Sequence, residues 1–237
     1  MPVAFTPKQL EDSVRDILAG RTDRDSQLID YINLAQQRIC RMYDWIELST
    51  TEEISPTYTG TVATDRFFAL SNMTNKNPKK IYSVIVIDGA SSRKLIRKSP
   101  AQWDEVAPQP EATSRKGRPS HYVLWQDKIE WWPIPETSRK FDVRLMKWAT
   151  NLTAGVTSGS SDLKEKDDAI IYLAAGMAFN SLGEYEKGKM FTGFGTSLLG
   201  ESIDEEAREP GLLIKPLADD EPLVGDYWKD PFVSRNP

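Results

Sequence analysis

Ile32–Leu48 has the sequence INLAQQRICRMYDWIEL, and the fold turns on what happens at its end. Ile32, Ala35, Ile39 and Met42, with Leu28 before them, recur at helical spacing, while Asp30, Gln37 and Arg41 take the other face. Trp45 closes this helix. From Ser49 the period changes, and Thr50, Thr51 and Ile54 read as strand. A helical period returns after residue 163. Helix, then strands, then helix predicts an α+β chain. Its helical bundle is built from an N-terminal and a C-terminal helix pair, with a small antiparallel β domain inserted. The expected segments are 1–48 and 164–208 for the helix pairs, 49–163 for the β domain and 209–237 for an extended C-terminal arm.

Upstream, Thr6-Pro7-Lys8-Gln9 is a helix start: Thr6 can accept from the Gln9 amide, the Gln9 side chain can reach back, and proline is tolerated in the first turn. Leu10, Val14, Ile17 and Leu18 form one stripe, ended by Gly20. The two N-terminal helices should pack as an antiparallel pair. Downstream, strands are expected at Arg66–Leu70 and at Ile81–Ile87, which Asp88-Gly89 turns back toward Leu95 and Ile96. Pro100–Val106 is a short helical turn with Trp103 on its apolar side, and Ala107–Pro119 is loop. His121–Trp125 and Lys128–Trp132 form a hairpin about Gln126-Asp127, and Phe141–Trp148 is a further strand. About seven short strands predict a small sandwich or open barrel.

Asn151–Asp162 is rich in glycine, serine and threonine and leads back to helix. Lys164–Leu182 is a strong helix with Ile170, Ile171, Ala174, Ala178 and Phe179 inward, capped by Gly183. Glu184–Arg208 is weaker, with Phe191, Phe194, Leu198 and Ile203 on one side, because it contains Gly188, Gly193, Gly195 and Gly200. Each glycine costs about 1 kcal/mol against alanine, so a close packing partner is expected there, such as a neighbouring subunit. Beyond Glu209, repeated prolines forbid helix and sheet, yet Leu212, Leu213, Ile214, Leu217, Tyr227, Trp228 and Phe232 supply anchors. Such a segment should dock on a surface, since disordered tails are poor in these residues.

The chemistry of an enzyme is nearly absent. The chain has 237 residues, a formal charge of −5, one cysteine and one histidine. That charge argues against a nucleic-acid binder driven by bulk electrostatics, and the basic cluster Arg93, Lys94, Arg97 and Lys98 reads as a solvated strand edge. Cys40 sits in a helix as a small core residue, and it excludes an intrachain disulfide and a thiolate zinc cluster. His121 lies in a strand without a nucleophile pattern. Asp127 and Glu130, the carboxylates a glycosidase would need, lie on a hairpin and should face solvent. Gly193–Gly200 (GFGTSLLG) lacks the preceding strand and the lysine of a phosphate loop. Asp162, Glu165, Asp167 and Asp168 suit a helix N-terminus without a metal. Trp125, Trp131 and Trp132 form an aromatic hairpin that could bind sugar or single-stranded nucleic acid, but more often serves as core and subunit contact. No catalytic, cofactor or metal residue is assigned. The start, MPVAFTPKQL, has no signal-peptide pattern, and the longest apolar run, 169–179, is too short to span a bilayer.

One resemblance joins these elements. INLAQQRICRMYDWIEL, then Gly117-Arg118-Pro119 with Tyr122, Ile129, Pro133-Ile134-Pro135, and AIIYLAAGMAF followed by Gly183-Glu184, covers Leu28 to Glu186. The pattern resembles the head-to-tail adaptor proteins of short-tailed bacteriophages, the head completion or gatekeeper proteins of the tail tubular protein A type. The resemblance implies a ring of about a dozen copies, closed by head-to-tail contacts. The ring would sit between the portal protein and the tail nozzle or tail fibre proteins and leave a channel for DNA. DNA would pass without sequence-specific binding, and at −5 per copy the ring would repel phosphate. The implied location is the virion neck, after assembly in the bacterial host cytoplasm, with no membrane, no cofactor and no shared active site. The alternatives are a carbohydrate-binding or cell-wall-hydrolysing virion protein using the tryptophan hairpin, or another neck component such as a stopper or tail terminator.

Overall fold

The first helix starts as its sequence predicts. Thr6 Oγ1 accepts from the Gln9 amide at 3.3 Å, and the Thr6 amide donates to Gln9 Oε1 at 2.8 Å. The computed structural model describes residues 5–76, 78–89, 91–107 and 116–208. Within them the helices are α1 (Pro7–Ile17), α2 (Leu28–Met42), α3 (Val62–Asp65), α4 (Pro100–Val106), α5 (Asp167–Ser181) and α6 (Tyr185–Arg208). The strands are β1 (Ser49–Ile54), β2 (Phe67–Ala69), β3 (Lys80–Asp88), β4 (Ser91–Lys94), β5 (Ile96–Arg97), β6 (His121–Trp125), β7 (Lys128–Trp132) and β8 (Lys140–Met146). The chain is α+β and divides into two units: a helical one from residues 5–49 and 146–208, and a β unit, Thr50–Leu145.

In the helical unit α5 is central and packs against α1, α2 and α6. Its apolar residues face several neighbours at once, so it is buried nearly all round, as such a helix must be. Leu10 and Val14 of α1 and Ile32, Ala35 and Ile39 of α2 are fully buried. Met42, placed on that stripe by its spacing, is instead 45% exposed; Cys40, fully buried, holds the inner position of the last turn. Helix α5 begins at Asp167 rather than Lys164, because Glu165 has a left-handed backbone, φ 63°. The stretch 147–163, expected in the β domain, belongs to the helical unit. Asn33 brackets Leu152, donating to its carbonyl at 3.1 Å and accepting from its amide at 2.8 Å, and the Lys8 amide donates to the Val156 carbonyl at 3.0 Å.

The β unit is two four-stranded sheets, ordered β1-β8-β3-β4 and β2-β7-β6-β5. They share one core. Ile81, Val84, Val86, Phe141, Val143 and Leu145 from the first sheet meet Tyr122, Ile129 and Trp131 from the second, and Trp131 stacks on Phe141 with ring centroids 4.5 Å apart. The β6–β7 hairpin turns at Gln126-Asp127 as expected, with Gln126 at φ 52°. The domain is not purely antiparallel, since β5 runs parallel to β6.

Candidate functional site

The informative features among the described residues are surfaces and the seams beneath them. The tightest seam joins α5 to α6. Gly183, at φ 79°, turns the chain between them, and the two helices then approach at glycines. A Cβ at Gly176 would lie 2.5 Å from Thr192 Oγ1 and 2.9 Å from the Gly188 carbonyl oxygen. One at Gly188 would lie 2.9 Å from the Gly176 carbonyl oxygen, and one at Gly195 2.8 Å from Leu173 Cγ. Of the four glycines singled out for a subunit contact, Gly188 and Gly195 therefore pack within their own chain. Gly193 and Gly200 are exposed, and a Cβ at either meets nothing within 4 Å. Gly176, the partner that completes the seam, was not singled out. A glycine inside the strongest helix was the available signal, since it costs about 1 kcal/mol unless something approaches closely.

The outer faces of two helices keep apolar side chains in solvent. On α2 these are Leu34, 56% exposed, and Met42; on α6 they are Met190 at 47% and Phe194 at 50%. Exposed Arg38 and Arg41 accompany the first pair. Exposed Glu201, Asp204 and Glu205 follow the second along α6.

A buried cation fixes the C-terminal part of α6. Lys166, 5% exposed, reaches Glu47 at 2.8 Å and Glu206 at 3.3 Å and lies 4.3 Å from the Trp45 ring centroid. Burial pushes the Glu47 carboxyl above its ordinary range against the pull of Lys166. Lys166→Met should cost about 1–2 kcal/mol by urea denaturation, less than a fully buried pair because both carboxylates keep some solvent contact. An unchanged midpoint would show that the network contributes nothing.

The tryptophan hairpin is not an aromatic platform. Trp131 is 1% exposed and Trp132 6%. Trp131 faces the shared core, and its Nε1 donates to the Asp65 carbonyl at 2.8 Å. Trp132 packs on the opposite side with Trp103 of α4, Val123 and Ile134. Both faces of the hairpin are covered, and only Trp125, at the turn, is exposed. His121 is half-buried, with Nδ1 2.8 Å from Ser120 Oγ. Burial holds its pKa below the usual imidazole value, helped by Lys98 and Arg93. Asp127 is exposed at the turn and Glu130 half-buried. Gly193–Gly200 is helix rather than loop. The acidic group disperses: Asp162 pairs with Lys147 at 2.7 Å, while Asp167 accepts from the Phe5 amide at 2.9 Å. Among the described residues no group of three or more histidine, cysteine, aspartate or glutamate side chains could hold a metal ion, and no helix is long and apolar enough to cross a membrane. The anchors Leu212, Leu213, Ile214, Leu217, Tyr227, Trp228 and Phe232 lie outside the described residues.

Compared with known proteins, residues 6–212 match the family model described as SU10 adaptor protein. No curated protein matches.

Proposed function

The chain belongs to the SU10 adaptor protein family of bacteriophage head-to-tail adaptors, and from that membership we propose that its copies form a closed ring between portal and tail nozzle. The family is structural, and its members are virion components that contact other head or tail proteins. The match across residues 6–212, which takes in both units, is the observation that carries the reading. Ring closure by head-to-tail contacts needs two different faces on each subunit, and the apolar side chains exposed on α2 and α6 supply candidates. Gly193 and Gly200 lie on the outer face of α6 and belong to this contact. About a dozen copies, as in connectors of this kind, would enclose a channel whose summed negative charge keeps DNA from sticking.

The arm from 209 to 237 is assigned to the portal or an adjacent subunit, with Leu212, Leu213, Ile214, Leu217, Tyr227, Trp228 and Phe232 as anchors. Deleting Glu209–Pro237 should leave the thermal transition of the chain unchanged and weaken its co-sedimentation with assembled portal. Loss of the cooperative transition would instead make the arm part of the core, and undiminished portal binding would take the docking role away from it.

A further inference from the structure

We propose that neighbouring copies join through the outer face of α2 on one chain and the outer face of α6 on the next. This rests on the ring reading and names the surfaces that would close it. The inner faces of both helices are already occupied: Ile32, Ala35 and Ile39 of α2 are fully buried, and Gly188, Gly195 and Leu199 of α6 are buried too. The outer faces carry large apolar groups in solvent, Leu34 and Met42 on α2, Met190 and Phe194 on α6.

Charge decides which face meets which. The α2 face adds exposed Asp30, Arg38 and Arg41, a net positive charge. The α6 face adds exposed Glu201, Asp204 and Glu205, with Lys187 at its start paired to Glu184 of the same chain, so the face is net negative, while neighbouring Glu206 is turned inward to Lys166. In a parallel register, pairing α2 with α2 would set arginine against arginine, and pairing α6 with α6 would set carboxylate against carboxylate. Like charges so placed cost several kcal/mol, and the opposite net charges of the two faces favour meeting each other over meeting their own kind. The mixed pairing satisfies both charge sets at once, and it is heterologous, the kind that propagates from copy to copy and closes into a ring. The spacing agrees. Seven residues separate Leu34 from Arg41, and seven separate Phe194 from Glu201, a step of about 10 Å along either helix. Apolar group can therefore meet apolar group where arginine meets carboxylate. Gly193 and Gly200, exposed and without a Cβ, leave room for the partner's long side chains.

The test uses the full chain in two charge-reversed forms, Arg38→Glu with Arg41→Glu, and Glu201→Lys with Glu205→Lys. All four side chains are exposed, so the thermal transition should stay with wild type. Sedimentation equilibrium should show self-association weakened roughly a hundredfold in each form. An equimolar mixture should associate again, and native mass spectrometry should find the two forms in equal numbers, because each reversed face then meets its complement. Wild-type association should also weaken with salt, since surface charge pairs are screened. Either reversed form associating as wild type does, or the mixture staying apart, overturns the contact. So does a wild-type chain that stays monomeric, because the contact needs only two copies. None of these outcomes decides where the chain sits in the particle, so the ring reading can survive each of them.

Discussion

Trp45→Ala is expected to lower the stability of the chain by about 3–5 kcal/mol, the range for truncating a large buried aromatic. Trp45 is fully buried and heads the largest such side chains among the described residues. Its removal undoes three things together. The indole Nε1 donates to the Ile39 carbonyl at 2.9 Å, in the last turn of α2. The ring carries the Lys166 ammonium at 4.3 Å, a favourable contact for a cation withdrawn from water. Tyr43 packs edge-on against it with centroids 4.9 Å apart. Urea denaturation followed by circular dichroism measures the loss. A change below about 1 kcal/mol would mean that the pocket collapses around alanine and that Trp45 does not organise this corner.

The second large effect lies at the α5–α6 seam and is sharper in sign than in size. Helix propensity alone favours alanine over glycine by about 1 kcal/mol. At Gly176 the seam should reverse that preference. The new methyl meets the backbone of α6 at 2.9 Å and the stiff Thr192 side chain at 2.5 Å, so the helices must separate. Overpacking of this kind costs about 1–3 kcal/mol net. Gly193→Ala and Gly200→Ala meet open space and should stabilise the chain by about 0.5–1 kcal/mol each. Thermal melts of the three variants check this. If Gly176→Ala also stabilises, the helices do not approach as described. If the two outer changes stabilise the free chain and yet weaken its assembly, the outer face of α6 is a subunit contact.

How much of this could be seen in the sequence follows the range of the forces involved. The capping box at Thr6, the turns at Gly89 and Gln126-Asp127, and the helical periods of α2 and α5 depend on residues a few positions apart, and they stand as expected. Ser99 makes a second capping box with Gln102, on the same local Ser/Thr-x-x-Gln pattern. Features that depend on distant partners were hidden. Trp131 and Trp132 alternate like a half-exposed strand, but α4 covers the outer side of their sheet, so both are buried. The stretch 147–163 has no period, and what assigns it to the helical unit is hydrogen bonding to α1 and α2. The glycines of α6 announced a close neighbour without saying which one, and for Gly188 and Gly195 it is α5. The candidate assembly surface was the least legible part. It is defined by side chains left in solvent after the unit has packed, and periodicity cannot tell such a residue from a core one, as Met42 illustrates.

The ring is decided by cryo-electron microscopy of the phage neck. Density for this chain is expected as a closed ring between portal and tail nozzle, with α2 of each copy against α6 of the next. Density for the chain at another site in the particle, or as single copies that do not touch, would contradict it.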